Sequence, residues 1–246
     1  MKTIKPVFLF LSSILLVSCM FTEELYLNND GSGAYAFKMD MSEMMESMKG
    51  MSDKDSIKES KVLDTIIYFK DILNERKDSI SKLKREEREV LEALKDFTMR
   101  MQVDEEKGKM LMNFGLDFEN ITVLKNMSEK IAKAQSLTDK KKESNSMPFN
   151  NDTEYSFNGN TFKRTVNLKN LSKEKSDEYE KMMTQSGAFM DGSTYKIIYH
   201  FEKEIKSVSI NSAMLSKDRK TLTIEMPMDT VMKNPKLLDF EVKLRE

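Results

Sequence analysis

Thr98-Met99-Arg100-Met101-Gln102-Val103-Asp104-Glu105-Glu106-Lys107-Gly108-Lys109-Met110-Leu111-Met112-Asn113-Phe114-Gly115-Leu116-Asp117-Phe118 decides the fold of this chain. Met99, Met101 and Val103 alternate with more polar neighbours, and Met110, Met112, Phe114, Leu116 and Phe118 do the same. Between them lies a charged turn, Asp104 to Gly108, closed by glycine. A period of two sends alternate side chains to opposite faces of an extended chain. The segment therefore predicts a β-hairpin in a sheet with one apolar face, covered on one side only.

The same pattern recurs on either side. Leu25 and Leu27 alternate, then Tyr35, Phe37, Met39 and Met41, around the turn Asn28-Asn29-Asp30-Gly31-Ser32-Gly33. A third hairpin is predicted from Tyr155 and Phe157, through Asn158-Gly159-Asn160, to Phe162–Leu168. Tyr195, Ile197, Tyr199 and Phe201 alternate next. Val208 and Ile210 are then predicted to pair with Leu222, Ile224 and Met226 around Ser216-Lys217-Asp218. A short helix, Asp229 to Lys233, fits between Pro227 and Pro235. Phe240, Val242 and Leu244 predict a final strand.

Helical spacing separates these hairpins. Met41, Met44, Met45 and Met48 recur at three and four residues, as do Val62, Ile66, Phe69 and Leu73. Further helices are predicted over 84–95, from Ile121 to Gln135, and from a Ser172 cap to Ala188. The resulting fold class is α+β: an antiparallel sheet built from successive β-hairpins, with helices packed on one face. Residues 136–152 are polar and charged, and predict a long surface loop or linker that could subdivide a domain spanning 24–246.

The amino-terminal end reads differently. Lys2 and Lys5 precede an apolar run from Val7 to Val17. As a helix that run spans about 16 Å, well short of the roughly 30 Å hydrocarbon core, which predicts a cleaved signal peptide over residues 1–18. Leu16-Val17-Ser18-Cys19 resembles the lipobox of bacterial lipoprotein precursors. That resemblance implies cleavage before Cys19, a fatty-acylated glyceryl thioether on its sulfur (palmitate is a typical chain), and a brief lipidated tether over 19–23. It also implies a cell-envelope location with the membrane as partner, and Met20 in place of aspartate favours the outer membrane. Glu23 and Glu24 lie where a surface-export signal could sit.

The turns Asn28–Gly33 and Asp104–Gly108, and the tail with Lys220-Thr221-Leu222 and Asn234-Pro235-Lys236-Leu237-Leu238-Asp239, add to the lipobox. Together they resemble uncharacterised envelope lipoproteins of Bacteroidota-type bacteria, and the tail is more distantly similar to LppM-like lipoprotein domains. The resemblance implies a location and a fold. It carries no catalytic residues.

Composition narrows the chemistry. Removing Lys2 and Lys5 with the signal leaves 38 basic against 41 acidic residues, a net charge of −3. Without a basic excess, nucleic acid is not an expected partner. The single cysteine excludes an intramolecular disulfide. His200 is the sole histidine and no G-x-S-x-G elbow accompanies it, so neither a serine triad nor a zinc site is indicated. Asn28, Asp30 and Ser32 fall at ligand positions of a calcium loop, but the twelfth position is Met39 rather than glutamate. Acidic pairs such as Glu86-Glu87 and Glu105-Glu106 sit among lysines as solvated faces. The expected function is a non-enzymatic binding or structural module, without cofactor, that engages an envelope protein. Two alternatives use the 21 methionines: a groove for lipid or another hydrophobic ligand, and a Cu(I) site at Met44, Met45 and Met48.

Overall fold

The computed structural model describes residues 19–43, 45–46, 62–125, 127, 151–170 and 192–246, with scattered positions between 172 and 184. The strands are β1 (Met20–Leu27), β2 (Gly33–Asp40), β3 (Val62–Tyr68), β4 (Thr98–Asp104), β5 (Lys109–Phe118), β6 (Asn151–Phe157), β7 (Thr161–Leu168), β8 (Thr194–Phe201), β9 (Ile205–Val208), β10 (Met214–Leu215), β11 (Thr221–Pro227) and β12 (Phe240–Leu244). Short helices α1 (Phe69–Glu75), α2 (Lys77–Ser81) and α3 (Arg85–Glu92) join β3 to β4, and α4 (Met228–Lys233) follows β11.

Two open sheets result. The larger runs β10-β11-β8-β1-β2-β5-β4-β3, and the smaller runs β6-β7-β12-β9. All three predicted hairpins form: β1–β2, β4–β5 and β6–β7 pair antiparallel. One pairing departs from the antiparallel plan, because β1 lies parallel to β8, with Met20 opposite Thr194 and Leu27 opposite Phe201. Strands from both ends of the chain thus share one sheet.

The alternation read from the sequence sets the layers. Phe21, Glu23, Leu25 and Leu27 of β1 face inward, while Met20, Thr22, Glu24 and Tyr26 face outward. The smaller sheet covers the inner face around β1 and β8. Leu25, Ile197, Tyr199, Leu222 and Ile224 of the larger sheet meet Phe162 and Val242 of the smaller one in one core. Phe162 stands edge-on to Tyr199, with ring centroids 5.4 Å apart. Leu91 of α3, Leu94, Phe97, Ile121 and Leu124 close the same core. The layer against the main sheet is therefore a second sheet supplemented by short helices.

Three local expectations are corrected. Val62, Ile66, Phe69 and Leu73 do not share one helix: Val62–Tyr68 is strand β3, and a helix begins only at Phe69. A spacing of four satisfies both periods, and the β-branched residues of Val62–Tyr68 favour the strand once β4 is available to pair. Val208 does not pair with Leu222; β9 joins β12 in the smaller sheet, while β11 pairs with β8 and β10. Residues 20–23, expected as tether, are the first half of β1.

The predicted helix over 84–95 appears as Arg85–Glu92, and the one over 229–233 as Met228–Lys233. Ile121–Leu124 is a 3-10 turn, and most of the predicted helices from Ile121 to Gln135 and Ser172 to Ala188 lies outside the described residues. No helix among the described residues is long and apolar enough to cross a membrane.

Candidate functional site

Glu23 occupies an inward position of β1 and is 1% exposed. Its carboxylate accepts five hydrogen bonds. Oε1 takes the hydroxyls of Tyr155 at 2.6 Å and of Tyr199, and Arg164 Nε at 3.5 Å. Oε2 takes Arg164 Nη2 at 3.1 Å and the Tyr195 hydroxyl at 2.5 Å. The remaining Arg164 nitrogen donates to the Leu238 carbonyl at 3.0 Å. Glu23, Tyr195 and Tyr199 belong to the larger sheet, and Tyr155 and Arg164 to the smaller one. The cluster is a polar bolt through the interface between the sheets.

Burial pushes the Glu23 carboxyl up, but the Arg164 charge and the converging donors outweigh it and hold it below its ordinary 4.5. Burial beside that carboxylate raises Tyr155, Tyr195 and Tyr199 well above 10. A carboxylate held charged with every lone-pair direction occupied acts as a structural anion rather than a proton carrier. The sequence alone reads Glu23 as part of a tether and does not single out Arg164. The available signal was a charge at an inward position of an alternating strand: Phe21-Glu23-Leu25 in β1, and Phe162-Arg164-Val166 in β7.

The outward face of the larger sheet carries a second cluster. Tyr26 and His200 lie side by side on β1 and β8, stacked with centroids 4.1 Å apart and planes 11° from parallel. His200 Nε2 is 3.3 Å from Glu24 Oε1, and Nδ1 is 3.1 Å from Thr221 Oγ1. Lys38 from β2 pairs with Glu24, whose carboxyl lies below its usual range because the lysine outweighs partial burial. Tyr26 is 49% exposed. The result is a half-exposed aromatic platform beside fixed charges on an open sheet face, a surface suited to contact rather than to enclosure.

Within the turn Asn28–Gly33 the side chains of Asn28, Asp30 and Ser32 bond to one another, while Asn29 N–H donates to Glu202 at 2.7 Å. Asp30 Oδ1 accepts from Ser32 N at 2.9 Å and from Ser32 Oγ at 2.6 Å, and Asn28 Nδ2 donates to Ser32 Oγ at 2.9 Å. Met39 lies on β2. A cleft of about 400 Å3 beside this turn is lined by Asn29, Asp30, Asn120 and Asn158 together with Ile121 and Phe157. Of the methionines considered for Cu(I), Met44 and Met48 lie outside the described residues, and Met45 is half-buried.

Cys19 immediately precedes β1. Its side chain is 4% exposed against Phe21 and Met228, with Phe37, Met39, Met41, Tyr195 and Met232 around them. Its backbone N–H donates to Ser193 Oγ at 3.2 Å. Burial pushes the thiol above its ordinary 9.0.

No family model matches the chain. No curated protein matches it. Among solved structures, the folded domain of the Mycobacterium tuberculosis LppM protein aligns over 92% of this chain and 89% of its own, at 6% identity and a TM-score of 0.38.

Proposed function

We propose that this chain is a lipid-anchored cell-envelope protein, acting without catalysis as a binding or structural module attached through Cys19. The observation that carries the reading is the position of Cys19 directly before β1. In this reading an anchor on Cys19 continues straight into the sheet, since β1 begins at Met20. The partly buried Phe37, Met39, Met41 and Met232 beside Cys19 are apolar side chains next to the proposed acylation point. Two or three chains on one residue anchor stably, whereas one does not. Met20 after the cysteine favours the outer membrane. In this reading the open face bearing Tyr26 and His200 engages an envelope protein.

Fractionation of the full chain and of Cys19→Ser tests the proposal, with the intact mass of detergent-extracted protein as a second readout. The wild type is expected in the membrane with the added mass of a diacylglyceryl group, and Cys19→Ser in the soluble fraction. An unlipidated wild-type mass, or a Cys19→Ser protein that stays membrane-bound, overturns it.

A further inference from the structure

Strand β3 ends the larger sheet and pairs only with β4 among the described residues. Its other side is an edge of seven residues, Val62-Leu63-Asp64-Thr65-Ile66-Ile67-Tyr68, with no proline, lysine or arginine. Natural edges are usually blunted by such residues, by bulges or by shortness. The opposite edge of the sheet is blunted by shortness, since β10 has two residues. On β3, Val62 is 70% exposed, Ile66 50% and Tyr68 43%. The one charge, Asp64, is held by Arg100 through bonds of 2.9 and 2.7 Å and by Gln102 at 3.0 Å, all from β4.

The ladder to β4 fixes which backbone groups have no partner among the described residues. Phe69 N–H donates to the Phe97 carbonyl, its register partner one step past Tyr68 and Thr98. In an antiparallel ladder such bonds recur at every second residue. Thr65 and Ile67 therefore bond to β4, and the N–H and C=O groups of Val62, Asp64, Ile66 and Tyr68 point out of the sheet edge.

We propose that β3 pairs antiparallel with β3 of a second copy of this chain, about a two-fold axis through Thr65. This register sets Val62 opposite Tyr68, Leu63 opposite Ile67, Asp64 opposite Ile66, and Thr65 opposite Thr65. Every free edge group then meets another, giving about eight main-chain hydrogen bonds. Moving the axis to Asp64 or Ile66 shortens the ladder, and placing it between residues sets free groups against bonded ones. The segment is thus complementary to itself in one full-length register, as an isologous interface requires.

The pairing is compatible with two anchors in one bilayer, although it goes beyond that reading and does not depend on it. The axis stands perpendicular to the sheet at Thr65. Four strand steps separate β3 from β1. With the half step to the axis, the usual twist turns β1 by about 100°. At that twist β1 would run nearly along the axis, and both copies would present Cys19 on the same side.

Cysteine cross-linking in the full chain carrying Cys19→Ser tests the proposal, because each introduced thiol is then the only one. Thr65 of the two copies forms a non-hydrogen-bonded pair with Cα atoms about 4.5 Å apart, inside the range a disulfide spans. Two Val62 residues would lie about 20 Å apart. Thr65→Cys is expected to give disulfide dimers about tenfold faster than the more exposed Val62→Cys. Adding Ile66→Pro, which removes only an outward N–H, is expected to abolish that advantage while leaving the circular dichroism unchanged. Sedimentation of Cys19→Ser gives an independent reading, a dimer that Ile66→Pro converts to monomer. Equal cross-linking at positions 65 and 62, insensitivity to Ile66→Pro, or a monomer at every concentration overturns the proposal. Capture of a different protein at Thr65→Cys, with no homodimer, does so as well.

Discussion

A carboxylate removed from water loses solvation that only several good donors can replace. Glu23 has five, from Arg164, Tyr155, Tyr195 and Tyr199. Removing Arg164 leaves that charge buried without compensation. Arg164→Met is expected to lower unfolding free energy by about 3–5 kcal/mol, measured by urea denaturation with circular dichroism. Glu23→Gln, which leaves Arg164 uncompensated, falls in the same direction, and the double variant loses less than the sum of the two. The pH dependence follows from the same residues. Glu23 is more acidic folded than its ordinary 4.5, so its contribution is present above that value and fades as pH falls through the folded value. The buried tyrosines are raised above 10, so their contribution is present below 10 and fades as pH climbs past it. Stability is expected to plateau between these limits. Glu23→Gln should flatten the acid limb of urea midpoints plotted against pH. Asp64, held down to about 2 by Arg100 and Gln102 at the surface, remains to titrate in that variant.

At the scale of elements, alternation was the reliable guide. The hairpins β1–β2, β4–β5 and β6–β7 were legible because their apolar residues repeat every two positions around turns rich in Gly, Asn and Asp. β3 is not legible in this way, because Val62 and Ile66 share a face in either a helix or a strand and pairing with β4 decides between them. The β1–β2 hairpin also has a steric requirement. A methyl group at Gly33 would lie 1.9 Å from the Tyr26 carbonyl oxygen and 2.9 Å from Phe118 Cζ. Backbone cannot yield as a flexible side chain can. Gly33→Ala is expected to cost about 1–3 kcal/mol, read as a lower urea midpoint with an unchanged m-value.

For the whole molecule, the chain crosses between sheets more often than neighbouring hairpins suggest. β1 and β8 are far apart in sequence yet adjacent and parallel, and β9 sits in one sheet while β11 sits in the other. Arg219 links these two parts, donating to the Ile205 carbonyl at 2.7 and 2.9 Å. Membrane fractionation and Thr65 cross-linking both act at this scale, since each asks whether an intact two-sheet body is held against a bilayer or a second copy. The sequence by itself determined where strands turn, which residues of each strand face inward, and that Cys19 follows an apolar run, because these are properties of neighbouring side chains. Only the tertiary structure decided which sheet each strand joins, and that Glu23 and Arg164 meet. Partner choice among similar amphipathic strands depends on contacts between residues distant along the chain, and local periodicity carries no record of them.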